Sequence, residues 1–478
     1  MKKSETLLAK IREGKVLTGR EKLGLIINLS IPSILAQMTS TLMFFIDAAM
    51  VGSLGAKASA SVGIVETTTW LFGSLTSAAS MGFGVQAAHR IGANDFKGAR
   101  RVMRTGLTTV TLFTLILCAI AVAVHRQLPY WLGGGADIAH DASLYFLIFS
   151  LTIPVLQLNN FSMNMLKCSG NMKTPSVLSI MMCLLDVVFN FFCIYPTRDI
   201  TLLSLTLTMP GLGWGVPGAA IGTALSFWVT AALAARATLF KSPIMALRLD
   251  RGHKVSWRPD LSYLKKAFAI SAPLALQYML MNGAQMVSTV IVAPLGNFAI
   301  AANSFAITAE ALCYMPGYGI AEAATTLVGQ SVGARRIELC RSFAYRCVAM
   351  GMAVMAFMGF VMYVFAPELM GLMTPVKEIV DLGVQALRIE AFVEPMFAAA
   401  IVCNSCMVGA GDTIIPACMN LVSMWGVRLT IAAWLAPIWG LAGAWTGMAI
   451  ELTFRGAIFL WRLFKGNWMK KALRVQHA

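Results

Sequence analysis

Apolar residues fill this chain in stretches of twenty or more, separated by short polar segments, instead of marking one face at the 3.6-residue helical spacing. A helix rises ~1.5 Å per residue, so each stretch can cross the ~30 Å hydrocarbon core of a bilayer. The pattern predicts twelve spanning helices, near residues 24–50, 60–88, 103–124, 143–166, 175–195, 215–240, 264–293, 298–328, 342–366, 382–408, 414–438 and 440–464. These runs far exceed the ~10-residue alternating segments of a membrane barrel, so strands are not expected.

Composition agrees. Apolar residues make up 58% of the 478 positions and charged residues only 13%. Soluble domains carry about 25% charged residues, and disordered chains are poor in apolar ones. The net charge of +16 is unevenly spread: 32 Lys and Arg fall in the N-terminus, the even-numbered loops and the C-terminus. The other side holds five (Lys57, Arg126, Arg198, Lys377 and Arg388), and Arg428 lies within the eleventh segment. Such asymmetry places both termini in the cytoplasm of a multi-pass plasma-membrane (bacterial inner-membrane) protein. No basic face with interleaved aromatics appears, so nucleic acid is not an expected partner. The run from Leu23 to beyond Leu54 is too long for a signal-peptide core of ~7–15 residues. Ten scattered cysteines, including Cys403-x-x-Cys406, read as buried free thiols and not as a structural metal site.

The chain also repeats itself. At an offset of 241, Pro32 meets Pro273, Gly55 meets Gly296, Gly92 meets Gly333, Pro154 meets Pro395, Gly170 meets Gly411 and Pro175 meets Pro416. Gly215, Gly218 and Gly222 meet Gly440, Gly443 and Gly447 at an offset of 225, so the first copy carries 16 extra residues around Pro196 to Gly211. Six helices separate the copies, which gives a parallel repeat of two six-helix lobes. The expected organisation is a basic N-terminal segment (1–22), a first lobe (23–241), a basic linker (242–263), a second lobe (264–464) and a basic tail (465–478). Transporters built from such repeats rock two lobes about a substrate site. Gly218-x-x-x-Gly222 and Gly443-x-x-x-Gly447 supply close helix packing, and Pro32 and Pro273 are candidate hinges.

Soluble-enzyme motifs occur in the wrong context. Gly213-Trp-Gly215-Val-Pro-Gly218 follows no strand, and Gly329-Gln-Ser331-Val-Gly333 ends a helix where a nucleophile elbow needs a strand-turn-helix and a histidine. A membrane-embedded hydrolase using Ser331 is the remote alternative. No phosphate-binding G-x-x-x-x-G-K-[ST] loop exists, so transport draws on an ion gradient, with H⁺ or Na⁺ the only cofactor expected.

A carboxylate at the bilayer centre costs about 2.5–3.5 kcal/mol on insertion scales, so acidic residues inside the runs are candidates for function. They are Asp47, Glu66, Asp186, Glu310, Glu322, Glu394 and Glu451. Asp186 lies near mid-membrane, Asn190 one turn outward on the same face, and Thr223 at a similar depth on the sixth helix. With Asp47 these form the expected ion-binding group; Asn160 is a further candidate, and Glu310 is expected to line the second lobe's side of the substrate path.

The segment Phe45-Ile-Asp47-Ala-Ala-Met-Val51-Gly52-Ser-Leu54-Gly55 resembles the first-helix signature of the multidrug and toxic compound extrusion (MATE) family. Val328-Gly329-Gln330-Ser-Val-Gly333-Ala334, Gly218-Ala-Ala-Ile-Gly-Thr223 and Leu166-Lys-Cys-Ser-Gly170-Asn-Met-Lys-Thr-Pro175 are similar to further family segments. The resemblance implies cation-coupled export of cationic amphipathic compounds by a monomer among membrane lipids, with the family's first-helix acid at Asp47. One branch has acids in the second lobe at positions that fall near Met281 and Phe397, so the chain resembles the DinF-like branch. The family's fifth-helix order of Asn then Asp is reversed here as Asp186 then Asn190. A lipid-linked saccharide flippase of the same superfamily is the runner-up; it would want a cationic cavity.

Overall fold

A computed structural model describes residues 2–202, 205–250 and 257–469. Its long helices are α1 (Gly19–Gly52), α2 (Ala56–Gly92), α3 (Phe96–Val124), α4 (Ala136–Cys168), α5 (Lys173–Ile194) and α6 (Gly215–Lys241). The second set is α7 (Leu261–Val292), α8 (Asn297–Gly333), α9 (Ile337–Met373), α10 (Lys377–Ala391 and Glu394–Gly409, bent by 58°), α11 (Ile414–Trp439) and α12 (Leu441–Lys465). These are the twelve predicted helices, in two six-helix lobes. Nine of them are each apolar and long enough to cross a membrane, and the bent α10 makes ten. The remaining two, α2 and α12, are more polar because they turn Ser74, Ser80 and Arg455 toward the space between the lobes. Outward faces are apolar: Leu112, Leu115 and Ile116 of α3 and Phe357 and Phe360 of α9 are exposed, as lipid contact demands.

The repeat is written into the backbone. Gly55 and Gly296, Gly170 and Gly411, and Gly215 and Gly440 all have positive φ (107° and 97°, 89° and 84°, 58° and 63°). Asn94 and Arg335, also 241 apart, share φ 58°. Glycine tolerates this region without a Cβ clash, which is why these positions stand out in the sequence. Both GxxxG pairs pack α6 on α5 and α12 on α11: a Cβ on Gly218 would lie 2.4 Å from Cys193 O, and one on Gly443 would lie 2.2 Å from Leu435 O. Helices α1 and α7 run unbroken through Pro32 and Pro273. Proline frees the carbonyl one turn earlier, and Ala269 O, freed by Pro273, accepts from Thr413 Oγ1 at 3.5 Å.

One expectation fails. The insertion forms an antiparallel hairpin, β1 (Pro196–Leu202) and β2 (Leu205–Leu212), at the end of the molecule away from most Lys and Arg. Its polar-apolar alternation (Leu205-Thr-Leu207-Thr) has the period of a strand. It is anchored by Arg198, stacked on Phe191 and Tyr195 at 4.7 and 4.3 Å.

At the basic end, residues Lys2–Arg12 form an amphipathic helix. Leu7, Leu8 and Ile11 are buried with α8 and α9, while Arg12 stacks 5.5 Å from the Phe96 ring of the first lobe. Thr18 and Glu21 cap α1 reciprocally, and Lys10 holds Glu21 at 2.5 Å. The linker is pinned by Arg100 Nε to Asp250 Oδ1 at 2.7 Å and by Arg104 on the other carboxylate oxygen; its residues 251–256, like most of the basic tail, lie outside the described residues.

The lobes meet at this end. A Cβ on Gly92 would lie 2.1 Å from Gln330 O, and one on Gly333 would lie 2.0 Å from His89 O, so the repeat-related glycines let α2 and α8 touch. His89 Nε2 contacts Gly409 O at 2.8 Å and Gln330 Nε2 donates to Cys168 O at 2.9 Å. Among the described residues, hydrogen bonds between the lobes end at mid-helix with Asn282 Nδ2 to Ser74 Oγ, 3.5 Å. The structure is therefore closed at its basic end and parted at the other.

Candidate functional site

Three helices of the first lobe bring a polar group together in apolar surroundings. Asp47 comes from α1, Asp186 and Asn190 from successive turns of α5, and Thr223 and Ser226 from α6. Asn190 Nδ2 lies 2.9 Å from Asp47 Oδ1, 3.1 Å from Asp186 Oδ2 and 3.5 Å from Thr223 Oγ1. Ser226 Oγ lies 3.4 Å from Asp186 Oδ1. All four residues expected to face one another thus share one amide, with the reversed order of Asp186 and Asn190 accommodated. Asp186, Asn190 and Ser226 are buried, while Asp47 and Thr223 remain partly exposed. The group has a mouth at Asp47 and a back at Asp186.

Glycine makes the geometry. A Cβ on Gly222 would stand 2.1 Å from Asn190 Oδ1 and 2.8 Å from Asn190 N, so α6 can approach α5 only without one. Two carboxylates flanking one amide nitrogen need a positive charge between them, either a proton or a metal cation, because like charges in a medium of low dielectric repel strongly. Their oxygens, with the Thr223 and Ser226 hydroxyls, form an all-oxygen donor set that suits a hard cation.

The second lobe differs from expectation. Positions 281 and 397 are Met and Phe, as the sequence shows. Yet Glu394, one turn before Phe397, clusters with Glu390 and Glu310, and each offers an oxygen within 4.8 Å of the others. All three are buried, and the oxygens of Glu390 and Glu394 make no hydrogen bond. Glu390 was missed, although its i, i+4 spacing to Glu394 was visible. Glu310 does not line the space between the lobes.

That space is a cavity of about 550 Å³ lined from both lobes. Asn160 faces it and donates to Thr76 Oγ1 at 3.3 Å, apart from the Asp47 group. Its charged lining residues are Lys167, Glu322 and Arg455. Lys167, counted in the sequence as a loop lysine, pairs with Glu322 at 2.5 Å, and Arg455 pairs with Glu451 at 2.9 Å. Ser331 is buried inside α8 with no hydrogen bond to its hydroxyl, which leaves the hydrolase reading without a nucleophile geometry. The cysteines are free, and Cys403 and Cys406 are buried.

Two repeated six-helix lobes around a cavity closed at one end define a secondary membrane transporter. The MatE family model matches residues 32–192 and 273–434, and the chain belongs to that family. A probable multidrug resistance protein NorM of Thermotoga maritima is 25% identical over 451 residues, covering 94% of this chain and 93% of its own length. One of Streptococcus pneumoniae is 24% identical over 455 residues, covering 93% and 95%. An outward-facing multidrug resistance MATE transporter superposes with a TM-score of 0.84 at 22% identity, over 93% of this chain and 96% of that one. A MATE structure in the straight conformation gives 0.84 at 21%, over 96% and 100%.

Proposed function

We propose that this protein is an antiporter that exports cationic amphipathic compounds across the bacterial inner membrane in exchange for H⁺ or Na⁺. Asp47 and Asp186 bind the coupling ion, with Asn190 and Thr223 completing its surroundings. The observation that carries this reading is the single Asn190 amide between two carboxylates of different helices. The multidrug resistance names of the relatives support the substrate class. The basic end is cytoplasmic by the positive-inside rule, so the closed end faces the cytoplasm and the cavity opens outward. Residues 23–241 and 264–464 then rock as two lobes, with Pro32 and Pro273 as flexible points, and the substrate occupies the cavity beside Asn160.

Coupling follows from the repulsion between the two carboxylates. An ion entering at Asp47 cancels one of the two negative charges and lets α1 pack against α5; its departure leaves both charges, which push the helices apart. The test is export of a permanent cation, such as ethidium, from proteoliposomes with Na⁺ and proton gradients imposed separately. One gradient drives export; equal rates with and without gradients refute the antiport.

A further inference from the structure

We propose that Lys167 is a built-in competitor for the cation-binding carboxylate of the cavity, Glu322, and that its engagement at the closed basic end expels a cationic substrate outward. This rests on the export of cations proposed above and adds the device that changes affinity between the two faces.

Glu322 belongs to the second lobe. Its Oε1 accepts from two residues of the first lobe, Lys167 Nζ at 2.5 Å and Gln37 Nε2 at 3.0 Å. Its Oε2 is buried and unpartnered, which leaves half of the carboxylate free for another donor. Thr326, one turn along α8, donates to the Lys167 carbonyl at 3.1 Å and fixes the lysine over Glu322. Both members of the pair are 24% exposed, wet enough for exchange and dry enough for charge to matter. Arg455, the other cation of the cavity, is committed to Glu451. Glu322 is therefore the cavity carboxylate on offer. Tyr278, Tyr318, Phe397 and Met281 line the same space and suit the apolar body of an amphipathic cation.

The pair spans the lobes in the half where their hydrogen bonds concentrate. Opening the basic end pulls α4 from α8 and parts Lys167 from Glu322. An unpaired, partly buried carboxylate is costly, so a substrate cation entering from the cytoplasm gains what the lysine gave up. Closing the end returns Lys167 to Glu322, and the two cations compete for one charge. Differential affinity between two states is what drives a population in one direction. Here its sense is tight inside and weak outside, as an exporter needs.

The experiment measures binding of ethidium, and of an uncharged amphiphile of similar size, to the full-length protein in detergent. Lys167→Gln keeps a hydrogen bond to Glu322 and removes the charge. It is expected to tighten ethidium binding on the order of tenfold, equivalent to about 1.4 kcal/mol, leave the uncharged probe unchanged, and slow turnover in proteoliposomes. Lys167→Arg keeps the pair and should behave as wild type, which controls for folding. Glu322→Gln should weaken ethidium binding and cancel the effect of Lys167→Gln in the double variant. Unchanged or weaker ethidium binding by Lys167→Gln overturns the proposal, as does tight binding by the double variant. Gradient-driven export of uncharged compounds alone, with no ethidium binding, would overturn it while leaving the Asp47 coupling site standing.

Discussion

Substitution of one packing glycine separates the cost of helix packing from the cost of losing the ion site. Gly222 and Gly447 are repeat-related, and each sits where its helix touches the preceding one. A Cβ on Gly447 would lie 2.7 Å from Ala432 N and 3.2 Å from Ala432 Cβ, with no polar side chain beside it. A Cβ on Gly222 would lie 2.1 Å from Asn190 Oδ1, so Gly222→Ala must displace that amide. Overpacking costs about 1–3 kcal/mol in either case. In Gly222→Ala the displaced Nδ2 also gives up its contacts with Asp47 Oδ1 and Asp186 Oδ2, at 2.9 and 3.1 Å. Hydrogen bonds to charged groups contribute about 1.5–3 kcal/mol each, so losing them destabilises the ion-free carboxylates by roughly 3 kcal/mol. That is a factor of about 100 in apparent affinity for the coupling ion. The assay pairs thermal unfolding in detergent with the ion-concentration dependence of ethidium export from proteoliposomes. Both variants should lose similar stability, and only Gly222→Ala should shift its ion dependence, toward lower ion concentrations, because its ion-free carboxylates have lost their donor. Equal ion dependence in the two variants would refute the reasoning.

Asp186→Asn removes the buried back charge and should abolish ion-driven export, whereas adding Asn190→Asp restores one carboxylate a turn outward and should recover part of it; export measured on the two side by side decides. The linker offers a pH test. Burial pushes the Asp250 carboxyl up, and Arg100 and Arg104 more than offset this, so its pKa lies below the ordinary value. A depressed carboxyl stabilises the fold above its unfolded pKa of about 3.9 and loses that contribution as pH falls through the lower folded value. Asp250→Asn should therefore cost about 2 kcal/mol at neutral pH and flatten the acid-side fall of the unfolding midpoint, followed by thermal melts below about pH 5.

The twelve helices were legible because a bilayer enforces one rule: every backbone polar group must be satisfied within the segment, so spans appear as long apolar runs. The repeat was legible because positive-φ positions such as Gly55 and Gly296 or Gly170 and Gly411 admit few residues other than glycine. Asp186 and Asn190 were legible as an i, i+4 pair, and Thr223 by depth. Other features depended on contacts that spacing does not encode. Lys167 ends α4, as a loop lysine would, yet meets a carboxylate 155 residues away. Glu310 was assigned to the cavity because it is central in its helix, but helix rotation turns it into the lobe toward Glu390 and Glu394. Ser226, one turn from Thr223, passed as an ordinary small residue of a packing helix. The hairpin was missed because helix-length runs set the expectation for the whole chain, including the insertion, whose residues 203–209 alternate with period two.

The most direct measurement of the central claim is ethidium export by Asp47→Asn in proteoliposomes, with Na⁺ and proton gradients imposed separately. Asparagine keeps the side chain's size and removes its charge, so the protein should insert and bind ethidium normally while neither gradient drives export. Export by Asp47→Asn at the wild-type rate, under the gradient that drives the wild type, would contradict the assignment of the coupling site to Asp47.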